Sequence, residues 1–437
     1  MKNKTFRFCL IILFSTFLGC RPNIVPVSVT PSSVALATNT PEFTSTVQPT
    51  PELTATSTPG ANISFLYLAQ GSIQKYNLQN WSEEKLSFQS DGDILQAALS
   101  PNKQWLVYQD KSGLKITERP FAAQPLIVST VNSERTRFLF SSSSELLAYS
   151  DGEGLKIFDV LKNTSFTLLV HSPDQPDVSK IRFYSPQQWS PDSQWLWVAV
   201  SHWEHISHVL IHISTRTSHE FTACYSDTDW LPTSQAFVAT VRYSDYYGCG
   251  DNDGIYLIGL TANYDISEKR IYQETVPREA WAREPHDIQL SPDGGNISFV
   301  QLSNPGTDLQ VSRLILINTS DKESKELDSS QDDISTPIWS ANDEKIFYSI
   351  QSEKESSIIS LNINSGEKIV LWSVPQKAVL ISLLADSDWL IIGTRSNSSN
   401  AWDSLYLVDS ISGSATKISD LGYDIYIQPF LGSELFQ

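Results

Sequence analysis

Apolar positions in this chain recur in a repeated setting. An apolar residue, usually aromatic, precedes a Ser/Pro/Asp-type turn, and a short apolar run follows. The clearest copies are Trp189-Ser190-Pro191-Asp192 before 195–200, Leu290-Ser291-Pro292-Asp293-Gly294 before 297–302, and Trp339-Ser340 before 346–350. Weaker copies begin at Leu99, Phe140, Trp230, Leu384 and Phe430. Their mean spacing, about 47 residues, is that of propeller blades. After each turn come two runs rich in β-branched and aromatic residues, such as 105–109 with 114–117, 146–150 with 155–159, and 236–242 with 255–260. Bounded by Gly, Asn, Asp and Ser, these runs predict strands. No long stretch holds a 3.6-residue period, so little helix is expected.

The pattern predicts an all-β fold, a single β-propeller of four-stranded blades, with strands a to d numbered from the axis outward. Full a–b units start near Ile94, Arg137, Phe183, Thr228, Asp287, Ser335 and Val379. The runs 63–69 and 72–78 resemble b and c with no a before them, and 426–430 resembles an a strand with no b after it. Joined, the N- and C-terminal strands share one blade, which leaves the ring no open edge. The count is eight blades. Seven is the alternative if the Phe140 copy, with Ser141–Ser144 in place of Ser-Pro-Asp, is not a blade.

The first residues change the picture of where this fold works. Lys2, Lys4 and Arg7 precede an apolar run, 8–18, too short to span a bilayer, and Gly19-Cys20 follows. Residues 1–19 therefore read as a signal peptide. The Leu18-Gly19-Cys20 ending resembles a bacterial lipoprotein signal, which implies Cys20 as the lipid attachment site and anchorage to a bacterial membrane outside the cytoplasm. An ordinary signal peptide or an uncleaved anchor is the competing reading. Residues 20–62, rich in Ser, Thr and Pro, predict a disordered tether, and 63–437 the propeller. The net charge is −18, and loss of the leader with its three cations takes it to −21. That surface argues against nucleic acid and against adsorption to anionic lipid heads.

Of four cysteines, Cys9 lies in the leader and Cys20 is the lipid candidate. Cys224 and Cys249 remain as a disulfide or as two separate thiols, the exported setting and their expected placement favouring the bond. Their separation makes a bond worth about 3–4 kcal/mol in the chain-entropy model.

The repeated Ser-Pro-Asp-Gly turn before an apolar strand resembles the TolB-type, WD40-like propeller repeat, over most of 63–437. Related repeats form the propellers of prolyl-oligopeptidase and dipeptidyl-peptidase enzymes. The resemblance implies the fold and leaves function open. Two departures matter. TolB proteins carry a small α/β domain before the propeller, where this sequence has the tether. The peptidases add a hydrolase domain, and no Gly-x-Ser-x-Gly elbow occurs in this sequence.

Strand alternation puts the b–c and d–a connections on one face and the short a–b and c–d turns on the other. The long, chemically rich loops cluster on the first face in blades 4 to 6. They are Ser201-His202-Trp203-Glu204-His205, the 243–254 loop with Tyr246, Tyr247 and Cys249, the connection bearing Cys224 and Tyr225, and the one bearing Trp281, Arg283, Glu284 and His286. Long loops in one sector point to a binding surface. Its candidate contacts are Trp203, Tyr225, Tyr246, Tyr247, Trp281 and Arg283. The competing reading is that these aromatics pack their own loops.

Five of seven histidines fall between His202 and His219. If a metal binds, His202, Glu204 and His205 are its candidate ligands, although His-Trp-Glu-His is not the zincin order. Asp251-Asn252-Asp253-Gly254 lacks the later ligands of a calcium loop. Gly248-x-Gly250 with Gly254 has the wrong spacing for a dinucleotide fingerprint. Ser291-x-Asp293-x-Gly295 imitates a sialidase Asp box but sits in an a–b turn. No catalytic residue and no cofactor is expected. The sequence points to a monomeric, lipid-anchored, non-enzymatic module binding an envelope protein, peptide or glycan. The alternative is an extracytoplasmic propeller enzyme acting on glycans, and a scaffold with no small ligand is a third possibility.

Overall fold

The computed structural model describes residues 63–437, apart from 122–123, 131–135, 242–252, 262–263, 274–284, 305–306, 385–386, 397–400, 425–429 and 436–437. The leader, Cys20 and the tether therefore lie outside the described residues. So do Tyr246, Tyr247, Cys249, Asp251, Asn252, Trp281 and Arg283. Among the described residues no helix is long and apolar enough to cross a membrane. Among those residues the one helix is a single 3-10 turn, Val178–Lys180.

The chain forms eight four-stranded antiparallel sheets. Seven follow chain order a-b-c-d, with a strands at Gln96–Leu99, Arg137–Phe140, Phe183–Trp189, Tyr225–Trp230, His286–Leu290, Asp333–Trp339 and Lys377–Leu383. The eighth, blade 1, is completed from the other end of the chain. Its b strand Ile63–Ala69 lies between Ser72–Asn77 and Phe430–Leu435, with Ile63 opposite Leu435 and Phe65 opposite Ser433. The shared blade is as the sequence predicts; the described part of its a strand is Phe430–Leu435, and 426–429 lie outside the described residues. The Phe140 copy is a true blade, so eight is the count.

The core explains why the ring closes. Each b strand is buried almost throughout, as in Ile63–Ala69 and Trp195–Val200. The buried side chains fall into eight clusters, each spanning two neighbouring blades. Phe65, Tyr67 and Leu78 of blade 1 pack with Trp389, Leu405 and Leu407 of blade 8. Trp195 and Trp197 of blade 4 pack with Trp230 and Phe237 of blade 5. A blade cannot cover its own two faces, so stability requires a neighbour on each side. The seam is sealed like the other interfaces, with Trp81 edge-on to Trp389 at 5.4 Å and Phe65 beside Phe430 at 5.9 Å.

The a–b turns show why the repeat carries serine. The Ser190 hydroxyl accepts the Trp195 N–H at 2.9 Å and donates to Asp192 Oδ1 at 2.6 Å. The same hydroxyl contact to the first b-strand N–H recurs at Ser100, Ser141, Ser291 and Ser340. The sequence suggests glycine for the turn's left-handed position, and Gly294 takes it at φ +72°. In other blades Ser144, Ser193, Ser234 and Asp343 hold that conformation instead, at φ of 59–65°. Their side chains explain the choice. Ser144, Ser193 and Ser234 each accept, at 2.9 Å, a backbone N–H from the preceding blade's turn. Asp343 accepts that of Asp293 at 3.3 Å. Side chains in the strained position thus link turn to turn around the ring.

Candidate functional site

The a strands of neighbouring blades meet around the axis, as blade 3 with 4 and blades 5 to 8 in succession. Five carry a β-bulge at one place: between Pro186 and Gln188, Tyr225 and Thr228, His286 and Gln289, Ser335 and Ile338, and Leu380 and Ser382. A bulge re-aims side chains. At the bulges, Asp287 N–H donates to Asp227 Oδ2 at 3.0 Å, and Thr336 N–H donates to Asp287 Oδ2 at 2.8 Å. Asp287 and Thr336 have φ near +50°. Aspartate thus ties blade 5 to 6 and blade 6 to 7.

One step along the strand, Asp229 accepts N–H groups from Leu290 at 2.7 Å and Trp230 at 2.9 Å, and the Gln188 amide at 3.2 Å. Thr228 in turn donates to Gln188 Oε1 at 3.1 Å. Burial pushes the Asp229 carboxyl up from the ordinary range, and these three donors only partly oppose it.

A cavity of about 1150 Å³ lies among blades 3 to 6. Its wall comes from the starts of a strands (Arg137, Tyr184, Asp227, Asp287), the ends of b strands (Ser150, Ser201) and the connections at Gly152 and His171. This is the b–c and d–a face. The cavity therefore lies on the face where the sequence gathers its long loops and overlaps their sector, blades 4 to 6, while reaching into blade 3, and inner strands build much of it.

Its ionisable groups are held in place. Burial lowers the His171 pKa; its Nε2 lies 3.0 Å from the Asp151 carbonyl, and its Nδ1 accepts the Tyr184 N–H at 3.2 Å, so Nε2 carries the proton of a neutral ring. Burial alone would raise the Asp151 carboxyl. Lys156 at 2.8 Å and the N–H groups of Glu153 and Gly154 outweigh it and hold the group below the carboxylate range. The equivalent turn of blade 2 repeats the pair as Asp110–Lys115 at 2.7 Å.

The sequence candidates divide. Trp203 is on the blade 4 b–c loop and is 65% exposed, outside the cavity wall. Tyr225 lines the cavity wall, although it is only 8% exposed. It packs against Phe221, its hydroxyl donates to Glu268, and burial raises its pKa. Among the described residues no three His, Cys, Asp or Glu side chains gather into a metal-holding group. His202, Glu204 and His205 are therefore not assembled as ligands. Instead the His202 and His205 rings stack at 4.2 Å, and His202 Nε2 pairs with Ser207 Oγ at 2.6 Å. Burial, then Arg182 and His205, lower the His202 pKa to about 4. Cys224 is disulfide-bonded, and its partner lies outside the described residues.

Arg137, His171, Tyr184, Gln188, Asp227 and Asp287 form a site that reading by loops misses. The available signal was polar residues inside expected inner strands, in Pro186-Gln187-Gln188-Trp189, Ser226-Asp227-Thr228-Asp229 and His286-Asp287-Ile288-Gln289.

No protein-family model matches the chain, and no curated protein does. Among solved structures, the dihydro-heme d1 dehydrogenase NirN in complex with DHE is similar over 89% of this chain and 79% of its own, at a TM-score of 0.53 and 12% identity. A structure described as the eukaryotic initiation factor is similar over 85% of this chain and 97% of its own, at 0.52 and 12%. A putative TolB from Agrobacterium tumefaciens aligns over 64% of this chain and 97% of its own, at 0.41 and 12%. At these identities the likeness concerns the fold alone: the chain is an eight-bladed β-propeller.

Proposed function

We propose that this protein is a lipid-anchored, extracytoplasmic propeller that binds an envelope protein, peptide or glycan, without catalysis, at the channel mouth of blades 3 to 6. The observation that carries this is the cavity of about 1150 Å³ on the loop-rich face. That volume suits a ligand of several residues or sugar rings. Its wall offers hydrogen-bonding groups of both kinds at Arg137, Tyr184, Gln187 and Ser226. The carboxylates beside it support binding over acid/base work. Asp227 and Asp287 each accept a backbone N–H of the next blade, and Asp151 is paired with Lys156. They hold strands and turns in place. Long loops of the same sector, exposed Trp203 among them, would extend the contact surface.

The anchor rests on the basic start, the apolar run and Leu18-Gly19-Cys20. Metabolic labelling with a tagged fatty acid should mark the wild type and not Cys20→Ser. Equal labelling of both overturns the anchor.

Wild type and an Arg137→Ala/Tyr184→Ala/Gln187→Ala variant, matched in thermal stability, would be compared on envelope extracts and on a glycan array. Loss of the retained species in the variant is expected. An unchanged profile removes the mouth as the site, and turnover of glycan substrates would replace binding with catalysis.

A further inference from the structure

We infer that the mouth takes its ligand as a short peptide with both ends free, the carboxylate at Arg137 of blade 3 and the ammonium at Asp287 of blade 6. This rests on the channel mouth as the binding site and assigns the chemistry it selects.

Other charges of the wall already hold the fold together. Asp151 is paired with Lys156, and Asp227 accepts the Asp287 N–H. Arg137 and Asp287 are left. The Arg137 side chain is exposed and makes no ion pair or hydrogen bond among the described residues; only its backbone N–H is engaged, by Ser150. The Asp287 side chain is half-buried and accepts the Thr336 N–H through Oδ2, which leaves Oδ1 without a partner among the described residues. Their blades stand three apart in a ring of eight, so the opposite charges sit on different sides of the mouth. A ligand with one charge meets one of them, a neutral sugar chain meets neither, and a dipolar chain meets both. Guanidinium takes a carboxylate through two parallel N–H bonds, and a carboxylate oxygen accepts from an ammonium.

The wall between them carries a departure from the repeat. In blades 5 and 7 a serine four residues before the turn tryptophan bonds across to the b strand, Ser226 with Thr240 at 2.7 Å and Ser335 with Ser349 at 2.9 Å. In blade 4 the register sets Ser185 opposite Ala199, which offers no hydroxyl. Ser185 Oγ accepts the Gln187 amide at 3.4 Å, and its own proton has no acceptor among the described residues. Ser185 is half-buried on the cavity wall, beside exposed Gln187. A peptide carbonyl supplies the acceptor that Ala199 withholds.

The test titrates the full chain with tri-, tetra- and penta-alanine, with their N-acetylated and C-amidated forms, and with chitotetraose. A free-ended peptide should bind best, and capping either end should weaken it about fivefold at low salt. Arg137→Gln should abolish the preference for a free carboxylate and keep that for a free ammonium. Asp287→Asn, which retains an acceptor for the Thr336 N–H, should do the reverse. Ala199→Ser recreates the blade 7 pair and should weaken free and capped peptides alike. Failure of every free-ended peptide to bind overturns the inference, as do tighter binding of chitotetraose, equal binding of free and doubly capped peptides, and end preferences that survive both charge variants. Each of those results leaves the mouth standing as a site. Undiminished retention of envelope species by the Arg137→Ala/Tyr184→Ala/Gln187→Ala variant instead removes the mouth, and this inference with it.

Discussion

The Asp227 carboxylate accepts the backbone N–H of Asp287 at 3.0 Å, across the boundary between blades 5 and 6. Both residues stand at β-bulges, and Asp287 repeats the contact toward Thr336 of blade 7. The side chains that stitch inner strands together are thus the same ones that line the channel. Here the physics of closing the ring and the chemistry of the mouth are one arrangement.

The carboxyl nearest this stitch gives a pH-dependent outcome. The folded-state pKa of Asp229 is raised by burial. Between its unfolded value and that raised value the native state binds the extra proton, so this group's contribution to stability falls as pH rises. Asp229→Asn removes that dependence. Its unfolding free energy relative to wild type should therefore improve from pH 4 to pH 7, as measured by denaturant titration. A relative loss over that interval would contradict the assignment.

The turn serines predict an order of variants. Ser193→Ala loses the bond to Ser143 N–H while keeping a side chain in the left-handed region, and should cost about 1 kcal/mol. Ser193→Gly loses the same bond but is relieved of the conformational cost, about 1 kcal/mol or more. Glycine should therefore melt above alanine and close to wild type. Equal melting of the two would show that the conformation carries no cost there.

Lys156 neutralises a carboxylate with almost no exposure. Lys156→Met leaves Asp151 charged and buried with only its backbone donors and the Ser129 hydroxyl, and should destabilise by about 3 kcal/mol. The loss should shrink as pH falls below the ordinary carboxylate range, because protonated Asp151 no longer needs a partner. Thermal melts at pH 7 and pH 3.5 check both statements.

We propose Cys249 as the disulfide partner of Cys224. Peptide mapping of the unreduced domain should recover 224 linked to 249. Reduction should lower the unfolding free energy by about 3 kcal/mol. A linkage to Cys20 instead would also remove the lipid site.

Much of this architecture was legible because a blade must bury both faces and so repeats its pattern. The Trp189, Leu290 and Trp339 copies announced inner strands, and the unpaired runs at 63–78 announced a shared blade. The site was less legible. A sequence shows loop length directly, which drew attention to Trp203, outside the cavity wall, as well as to Tyr225, which lines it. It does not show a bulge, and bulges are what turn Asp227 and Asp287 into both ties and lining. The turn serines were hidden for a related reason: a left-handed φ suggests glycine until a neighbouring blade supplies an N–H for the hydroxyl to accept. The Asp110–Lys115 and Asp151–Lys156 turns, with their shared Asp-x-x-Gly-Leu-Lys, were readable as a repeat and needed only comparison between blades 2 and 3.

The most direct measurement is hydrogen–deuterium exchange of the domain with and without the envelope species it retains. Binding at the mouth predicts slowed exchange in 183–189, 225–230 and 286–290, with the a–b turns of the opposite face unchanged. Slowed exchange confined to those turns or to the outer d strands would contradict the account.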